Sequence, residues 1–74
     1  MEDYIINAGE IEELQTIKDM QALDLIFDKA KVNIVRGGIV ALVRKQLSGE
    51  TTKFDSFSTL DDLGNYKKQI YKYL

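Results

Sequence analysis

Two glycine-containing turns enclose the clearest strand of this chain, and they constrain the fold more than any other feature. Gly37-Gly38 precedes the predicted strand from Ile39 to Gln46, which starts with the apolar run Ile39 to Val43, and Ser48-Gly49 follows it. Glycine permits the backbone conformations of tight turns, and an aliphatic run between two turns is typical of a strand. The stretch from Thr51 to Phe57 then predicts a second strand that returns antiparallel to the first.

The predicted register separates the apolar side chains of this hairpin into two faces. If Leu47 faces Glu50 across the turn, the pairs are Val40 with Phe57, Ala41 with Ser56, Leu42 with Asp55 and Val43 with Phe54. Because side chains alternate along a strand, neighbours in sequence point to opposite faces. One predicted face carries Ile39, Ala41, Val43 and Phe54, and the other carries Val40, Leu42 and Phe57 with Arg44, Lys53 and Asp55.

Two threonines predict the starts of two helices. Thr16 and Thr59 each stand three residues before an aspartate, Asp19 and Asp62. A threonine at the N-cap accepts a hydrogen bond from an amide of the first turn, and an acidic residue in that turn favours the positive end of the helix dipole. The sequence therefore predicts one helix from Ile17 onward and a second over 60–74.

The end of the first predicted helix is open to two interpretations. An end near Lys29 to Lys31 is preferred, because Val32, Ile34 and Val35 are β-branched and favour a further strand over Val32 to Arg36. The alternative is a longer helix that runs to Arg36 and stops at Gly37, since Ile34 continues the apolar stripe.

Together these elements predict an α+β two-layer sandwich formed by one domain over residues 1–74. It has a small antiparallel sheet of two to four strands with two helices on one face, in the order (β)αβββα, where the bracketed strand spans residues 3–7. We expect the helices to cover the face of Ile39, Ala41 and Val43. The face of Val40 and Leu42 would then stay open, unless the segment around Tyr4 to Ile6 folds over it.

The composition argues against catalysis. The chain has no histidine and no cysteine, so the most common general base, metal ligand and thiolate nucleophile are all missing. Glu10, Glu12 and Glu13 are interpreted as solvated side chains of an exposed strand or loop, and Asp61-Asp62 as a helix first turn. We therefore expect no enzyme, no catalytic residues, no cofactor and no metal.

Charge is strongly segregated along the chain. The first 28 residues hold eight acidic side chains and one basic one, and the remaining 46 hold nine basic and four acidic. Such a molecule can pair head to tail with a copy, neutralise itself internally or bind an anion. The acidic start Met1 to Tyr4 is unlike a secretory signal, and no apolar run is long enough to span a bilayer, so a cytoplasmic protein without membrane contact is expected.

These features predict a protein–protein interaction module that forms a homodimer through the open sheet face or the edge strand. The candidate interface residues are Val40, Leu42, Phe57, Arg44, Lys53 and Leu25. The alternative is a nucleic-acid-binding accessory protein that uses Arg36, Arg44, Lys45, Lys68, Tyr71 and Lys72. Asp61-Asp62 would repel a phosphate backbone, and the pI of about 5.0 is low for such a module.

Overall fold

A three-stranded sheet with three helices packed on one side forms this protein, in a computed structural model that describes residues 3–72 and 74. The elements are β1 (Tyr4–Asn7), α1 (Ala8–Thr16), α2 (Met20–Val35), β2 (Val40–Lys45), β3 (Thr51–Phe57) and α3 (Leu60–Tyr71). The molecule is a slab of 30 × 30 × 17 Å, as expected for one layer of helices on one sheet. The predicted α+β two-layer class is confirmed.

The sheet is mixed rather than antiparallel. Its strand order is β1-β2-β3, with β1 parallel to β2 and β2 antiparallel to β3. Two helices, α1 and α2, connect β1 to β2, and a crossover of this length is what returns the chain in the same direction. The predicted strand within residues 3–7 is confirmed, whereas the predicted strand over Val32 to Arg36 belongs to α2.

The sequence interpretation missed α1. Asn7 is its N-cap, and the Asn7 Oδ1 accepts a hydrogen bond from the Gly9 amide at 2.9 Å. Ile11 is fully buried and Leu14 packs against the core, so this short helix turns a narrow apolar stripe inward. The placement of Glu10 and its neighbours in an exposed strand or loop was wrong, although their side chains are exposed.

Asp19 begins α2, and the prediction that Thr16 caps it was wrong. The Asp19 Oδ1 accepts from the Ala22 amide at 3.1 Å. Thr16 ends α1 instead, where its hydroxyl donates to the Glu12 carbonyl at 2.9 Å. Between the two helices, Lys18 adopts a left-handed conformation with φ 56°, which produces the sharp change of direction.

The longer form of α2 is correct, and the preferred end near Lys31 was wrong. Ile34 is buried in the core, so packing outweighs the strand preference of the β-branched residues around it. Gly37 follows the helix with φ 89°. A Cβ at Gly38 would lie 2.6 Å from Nδ2 of Asn33, so a side chain there would displace the Asn33 amide that donates to the Ile39 carbonyl.

The third helix begins as the sequence predicted. The Thr59 Oγ1 accepts from the Asp62 amide at 3.2 Å, which confirms the N-cap. Leu63 is buried, and Tyr66 and Ile70 pack against the core. The side-chain amide of Gln15 donates to the Ile70 carbonyl at 3.0 Å and so joins α1 to α3.

The hairpin register is correct up to a β-bulge. Val40 pairs with Phe57, Ala41 with Ser56 and Leu42 with Asp55, as predicted. Val43 then pairs with Lys53, so the prediction of Phe54 opposite Val43 was wrong. Phe54 is the extra residue of a bulge on β3, and such an insertion cannot be read from alternation alone.

The core lies on the face that was predicted to be open. It consists of Ile6, Ile11, Leu23, Phe27, Ala30, Ile34, Val40, Leu42, Phe57 and Leu63. Val40 is completely buried and Leu42 is 2% exposed, so the prediction that they line an open face was wrong. The alternation of side chains along a strand shows which residues share a face, but it does not show which face the helices cover. Parallel pairing places Ile6 beside Leu42, and this larger apolar surface is the one that the helices cover.

Candidate functional site: the outer face of the sheet

The sheet surface opposite the helices is the candidate functional site. It contains the residues that alternate with the core positions, Ile5 on β1, Ala41 and Val43 on β2 and Ser56 on β3, together with Ile39 just before β2. We call the sheet surface around these five residues the outer face. Three helices occupy the other side of the sheet, so the outer face is bounded only by its own strands and turns among the residues that the structure describes.

Two isoleucines carry most of the exposed apolar surface of the outer face. Ile5 is 62% exposed and Ile39 is 40% exposed. Ala41 and Val43, on the central strand, are buried, at 4% and 8% exposed. The centre of the outer face is therefore buried, and the exposed side chains of Ile5 and Ile39 lie at one end of it.

Opposite charges lie at the two ends of the outer face. Asp3 directly precedes β1 beside Ile39, because the amide of the next residue, Tyr4, donates to the Ile39 carbonyl at 2.9 Å. Lys45 ends β2 at the other end, and Lys53 pairs with Val43. Ile39 and Lys45 are six positions apart along an extended strand, a span of about 20 Å. The face is thus acidic at the end that carries the two exposed isoleucines and basic at the other end.

The outer edge of β3 is protected against pairing with another strand. The bulge at Phe54 interrupts the regular ladder, and the Asp55 Oδ1 accepts from the Ser56 amide at 2.8 Å. Charged side chains at Lys53 and Asp55 add to this protection. Bulges and charges are the devices by which edge strands avoid association, so the geometry favours the face of the sheet over its edge.

The structure does not bring the six predicted interface residues together. Val40, Leu42 and Phe57 lie in the core and cannot line a surface. Lys53 lies on the outer face, whereas Leu25 is 56% exposed in the helical layer, on α2. The prediction of a single patch was wrong because it assigned the covered and open faces the wrong way round.

Arg44, the remaining predicted interface residue, neutralises charge within the chain. Its Nη2 lies 2.6 Å from Oε1 of Glu12, and its guanidinium is 5.8 Å from the Phe54 ring centroid. Both partners are about half exposed, so the ion pair adds little stability. It joins the acidic half of the sequence to the basic half. Burial raises the pKa of the nearby Tyr66, and the negative charge of Glu12 adds to this effect while Arg44 opposes it.

The predicted nucleic-acid residues lie on three separate elements. Arg36 follows α2, Arg44 and Lys45 end β2, and Lys68, Tyr71 and Lys72 belong to the C-terminal part of α3. The alternative interpretation used Tyr71 as a stacking ring, but this side chain is engaged within the chain.

Tyr71 contacts groups from both long helices. Its hydroxyl donates to Oδ1 of Asp24, its ring centroid is 5.9 Å from that of Phe27, and Nζ of Lys67 lies 5.3 Å from its ring centroid. Burial raises the pKa of Tyr71, and the hydrogen bond to Asp24 with the negative charges of Asp24 and Asp28 raises it further. A ring held in this way is not presented to a base.

Sequence reasoning missed Ile5 and Ile39 as the exposed pair of the outer face. Ile39 was placed on the covered face. Ile5 was considered only as part of a segment folding over the open face, because its pairing with Ala41 depends on a parallel contact between distant segments. Within residues 3–72 and 74, no cluster of three carboxylates is arranged to hold a metal ion. No helix of the same residues is long and apolar enough to cross a membrane.

Comparison of the chain with protein-family models, with curated proteins and with solved structures finds no significant match.

Proposed function

We propose that this protein is a non-enzymatic protein–protein interaction module whose partner at the outer face is a second copy of the same chain. The observation that carries the proposal is the one-sided packing of the sheet, which leaves Ile5 62% exposed beside Ile39. Large apolar side chains that are exposed on a sheet face commonly form the centre of a protein–protein interface.

The size of the molecule permits a dimer. The broad side of the whole slab measures 30 by 30 Å, and a standard interface covers roughly 800 Å² on each partner, so such an interface would extend beyond the outer face to the turns around it. A chain of 74 residues has a small core, and chains of this size often gain stability from association. Packing two such sheets face to face is a common arrangement, with the strands of the two sheets within about 30° of each other.

The charges at the ends of the outer face favour a two-fold arrangement with antiparallel strands across the interface. A two-fold axis that lies between the sheets and perpendicular to the strands places the Asp3 end of one copy over the Lys45 end of the other. The acidic and basic ends then meet twice, and the Ile5 and Ile39 pair of each copy packs against the opposite half of the partner's outer face. Complementary charges of this kind fix the register of an interface more than they add affinity.

The experiment that tests the proposal is a measurement of molar mass by light scattering over a range of concentrations, at about 0.1 M and about 1 M salt. The Debye length falls from about 10 Å to about 3 Å between these conditions. We expect a species of twice the 8.5 kDa chain mass that persists at high salt, because the isoleucine contacts are apolar. A monomer at every concentration and salt would contradict the proposal.

A further inference from the structure

A groove between α2 and α3 lies in the helical layer, on the opposite side of the molecule from the outer face. It has a volume of about 330 Å³ and is lined by Phe27, Asp28, Lys31, Leu60, Leu63, Gly64 and Lys67. Phe27 and Leu63 form a buried floor, and Leu60 is 45% exposed on the wall. We call this the α2–α3 groove.

The α2–α3 groove continues along α2 into a second concavity. This concavity has a volume of about 430 Å³ and shares Asp28 and Lys31 with the first. Its apolar lining is Val32 and Val35, and Val35 is 67% exposed. The continuous lining runs from Phe27 to Arg36, a length of about 14 Å along the helix axis. An open, elongated surface of this length matches a polypeptide segment better than a small molecule, which would need an enclosed site.

Gly64 keeps the α2–α3 groove open at its middle. A Cβ at this position would meet no atom within 4 Å, so the packing of the chain itself does not require a glycine here. Glycine is less favourable than alanine within a helix, and close approach of another backbone is a physical reason for one. The space above Gly64 is therefore available to a segment from outside the chain.

The rim of the groove is basic. Lys31 and Lys67 line the first concavity and Arg36 lines the second, against the single acid Asp28. Nζ of Lys67 lies 5.9 Å from the Phe27 ring centroid, so this cation is positioned above the apolar floor. None of the three cations forms an ion pair with a carboxylate of the described residues.

The geometry points to the α2–α3 groove as the docking site for an acidic amphipathic helix of a partner protein. The apolar floor and walls receive the leucine-like side chains of such a helix, spaced three and four residues apart. The basic rim receives its carboxylates, and Gly64 lets the two helices approach closely. This site is separate from the outer face, so the docking proposal and the dimer proposal are tested independently.

The test uses two labelled peptides of about 18 residues, long enough to form a helix on binding. Both carry leucines at helical spacing. All remaining positions are glutamate in one peptide and lysine in the other. Fluorescence anisotropy measures their binding to the full chain. We expect the glutamate peptide to bind at least about tenfold more tightly than the lysine peptide; equal affinities or no binding of the glutamate peptide would overturn the proposal.

Substitutions on one helix locate the binding surface. Gly64→Leu fills the groove with a side chain that favours the helix, so the fold is retained, and we expect a loss of affinity of about tenfold or more. Gln69→Leu adds the same side chain to α3 outside the groove and should leave binding unchanged. Circular dichroism checks the helix content of both variants. Unchanged affinity of Gly64→Leu, or an equal loss in Gln69→Leu, would overturn the assignment.

Charge reversals and a competitor complete the test. Lys31→Glu should weaken binding of the glutamate peptide, whereas Lys29→Glu, on the same helix but outside the groove lining, should have a smaller effect. A single-stranded oligonucleotide serves as the competitor. Displacement of the glutamate peptide from the wild type by this oligonucleotide, together with loss of direct oligonucleotide binding in Gly64→Leu, would assign the groove to nucleic acid and overturn the proposal.

Discussion

Single side chains fix the start of each long helix in this molecule. The carboxylate of Asp19 accepts from the Ala22 amide, and the hydroxyl of Thr59 accepts from the Asp62 amide. Each cap satisfies an amide that has no partner within its helix. Thr16 resembles Thr59 in sequence, but it lies at the end of α1 and donates to a backbone carbonyl. The same short motif thus has two roles, and only its surroundings distinguish them.

Removal of the cap at Asp19 should destabilise the chain measurably. We expect Asp19→Ala to lower the free energy of unfolding by about 1 kcal/mol, because the Ala22 amide loses its acceptor. Thr16→Ala is the matched control and should cost less than about 0.5 kcal/mol, since an exposed back-bond to a carbonyl contributes little. Urea denaturation measures both. A larger cost for Thr16→Ala than for Asp19→Ala would contradict the assignment of the cap.

Tyr71 should make stability depend on pH in the alkaline range. Burial, the hydrogen bond to Asp24 and the charges of Asp24 and Asp28 raise its folded-state pKa above the ordinary 10.0. A raised folded-state pKa means that the contribution is fully present below pH 10 and is lost as the pH rises through the folded pKa. We expect the wild type to lose more stability than Tyr71→Phe between pH 8 and pH 11, as measured by denaturation. Equal losses would show that the hydroxyl contributes nothing.

At the scale of elements, local signals were readable from the sequence and distant pairings were not. The hairpin of β2 and β3 and the start of α3 follow from turn glycines and an N-cap, which act within a few residues. The parallel pairing of β1 with β2 joins Tyr4 to Val40, 36 positions apart, and no short pattern encodes it. The short helix α1 was missed because its apolar stripe consists of only three residues, Ala8, Ile11 and Leu14.

The candidate site was readable only in part for the same reason. Alternation correctly separated Val40 and Leu42 from Ala41 and Val43. Which of these faces the helices cover depends on the total apolar area that each face presents, and β1 adds Ile6 to one of them. The sequence therefore predicted that one face is open but placed the open face on the wrong side. Lys53 is the one predicted interface residue that lies on the outer face.

The assignment of the two sheet faces predicts unequal costs of truncation. Leu42→Ala should lower the free energy of unfolding by about 2 to 5 kcal/mol, because Leu42 is 2% exposed and a cavity would remain. A loss of this size is comparable to the whole stability expected of so small a core. Ile5→Ala, on the other face, should cost about 1 kcal/mol or less when measured at a concentration where the chain is monomeric. Similar costs would contradict the assignment.

At the scale of the whole molecule, the segregated charges of the sequence become two charged ends of one flat face. Asp3 lies at one end of the outer face and Lys45 at the other, and the Arg44–Glu12 ion pair neutralises part of the remaining charge internally. The proposed two-fold dimer would pair each end with its opposite. High salt should therefore reduce the preference for this register without dissociating the apolar contact.

Paired charge reversals test this arrangement. Asp3→Lys gives a chain with two basic ends, and Lys45→Glu gives a chain with two acidic ends, so each variant alone should dimerise more weakly than the wild type. An equimolar mixture restores both contacts and should form a heterodimer, because each acidic end then meets a basic one. Native mass spectrometry at low salt measures the three species. A random distribution of dimers in the mixture would contradict the two-fold register.

The most direct test of the account is the molar mass of two lysine variants on opposite sides of the slab. Ile5→Lys places a charge in the outer face, and Leu25→Lys places the same charge on an exposed position of α2. Both sites are more than half exposed, so neither change should unfold the chain. The account predicts a monomer of 8.5 kDa for Ile5→Lys and twice that mass for Leu25→Lys. A dimer of Ile5→Lys, with Leu25→Lys monomeric, would contradict it and place the interface in the helical layer.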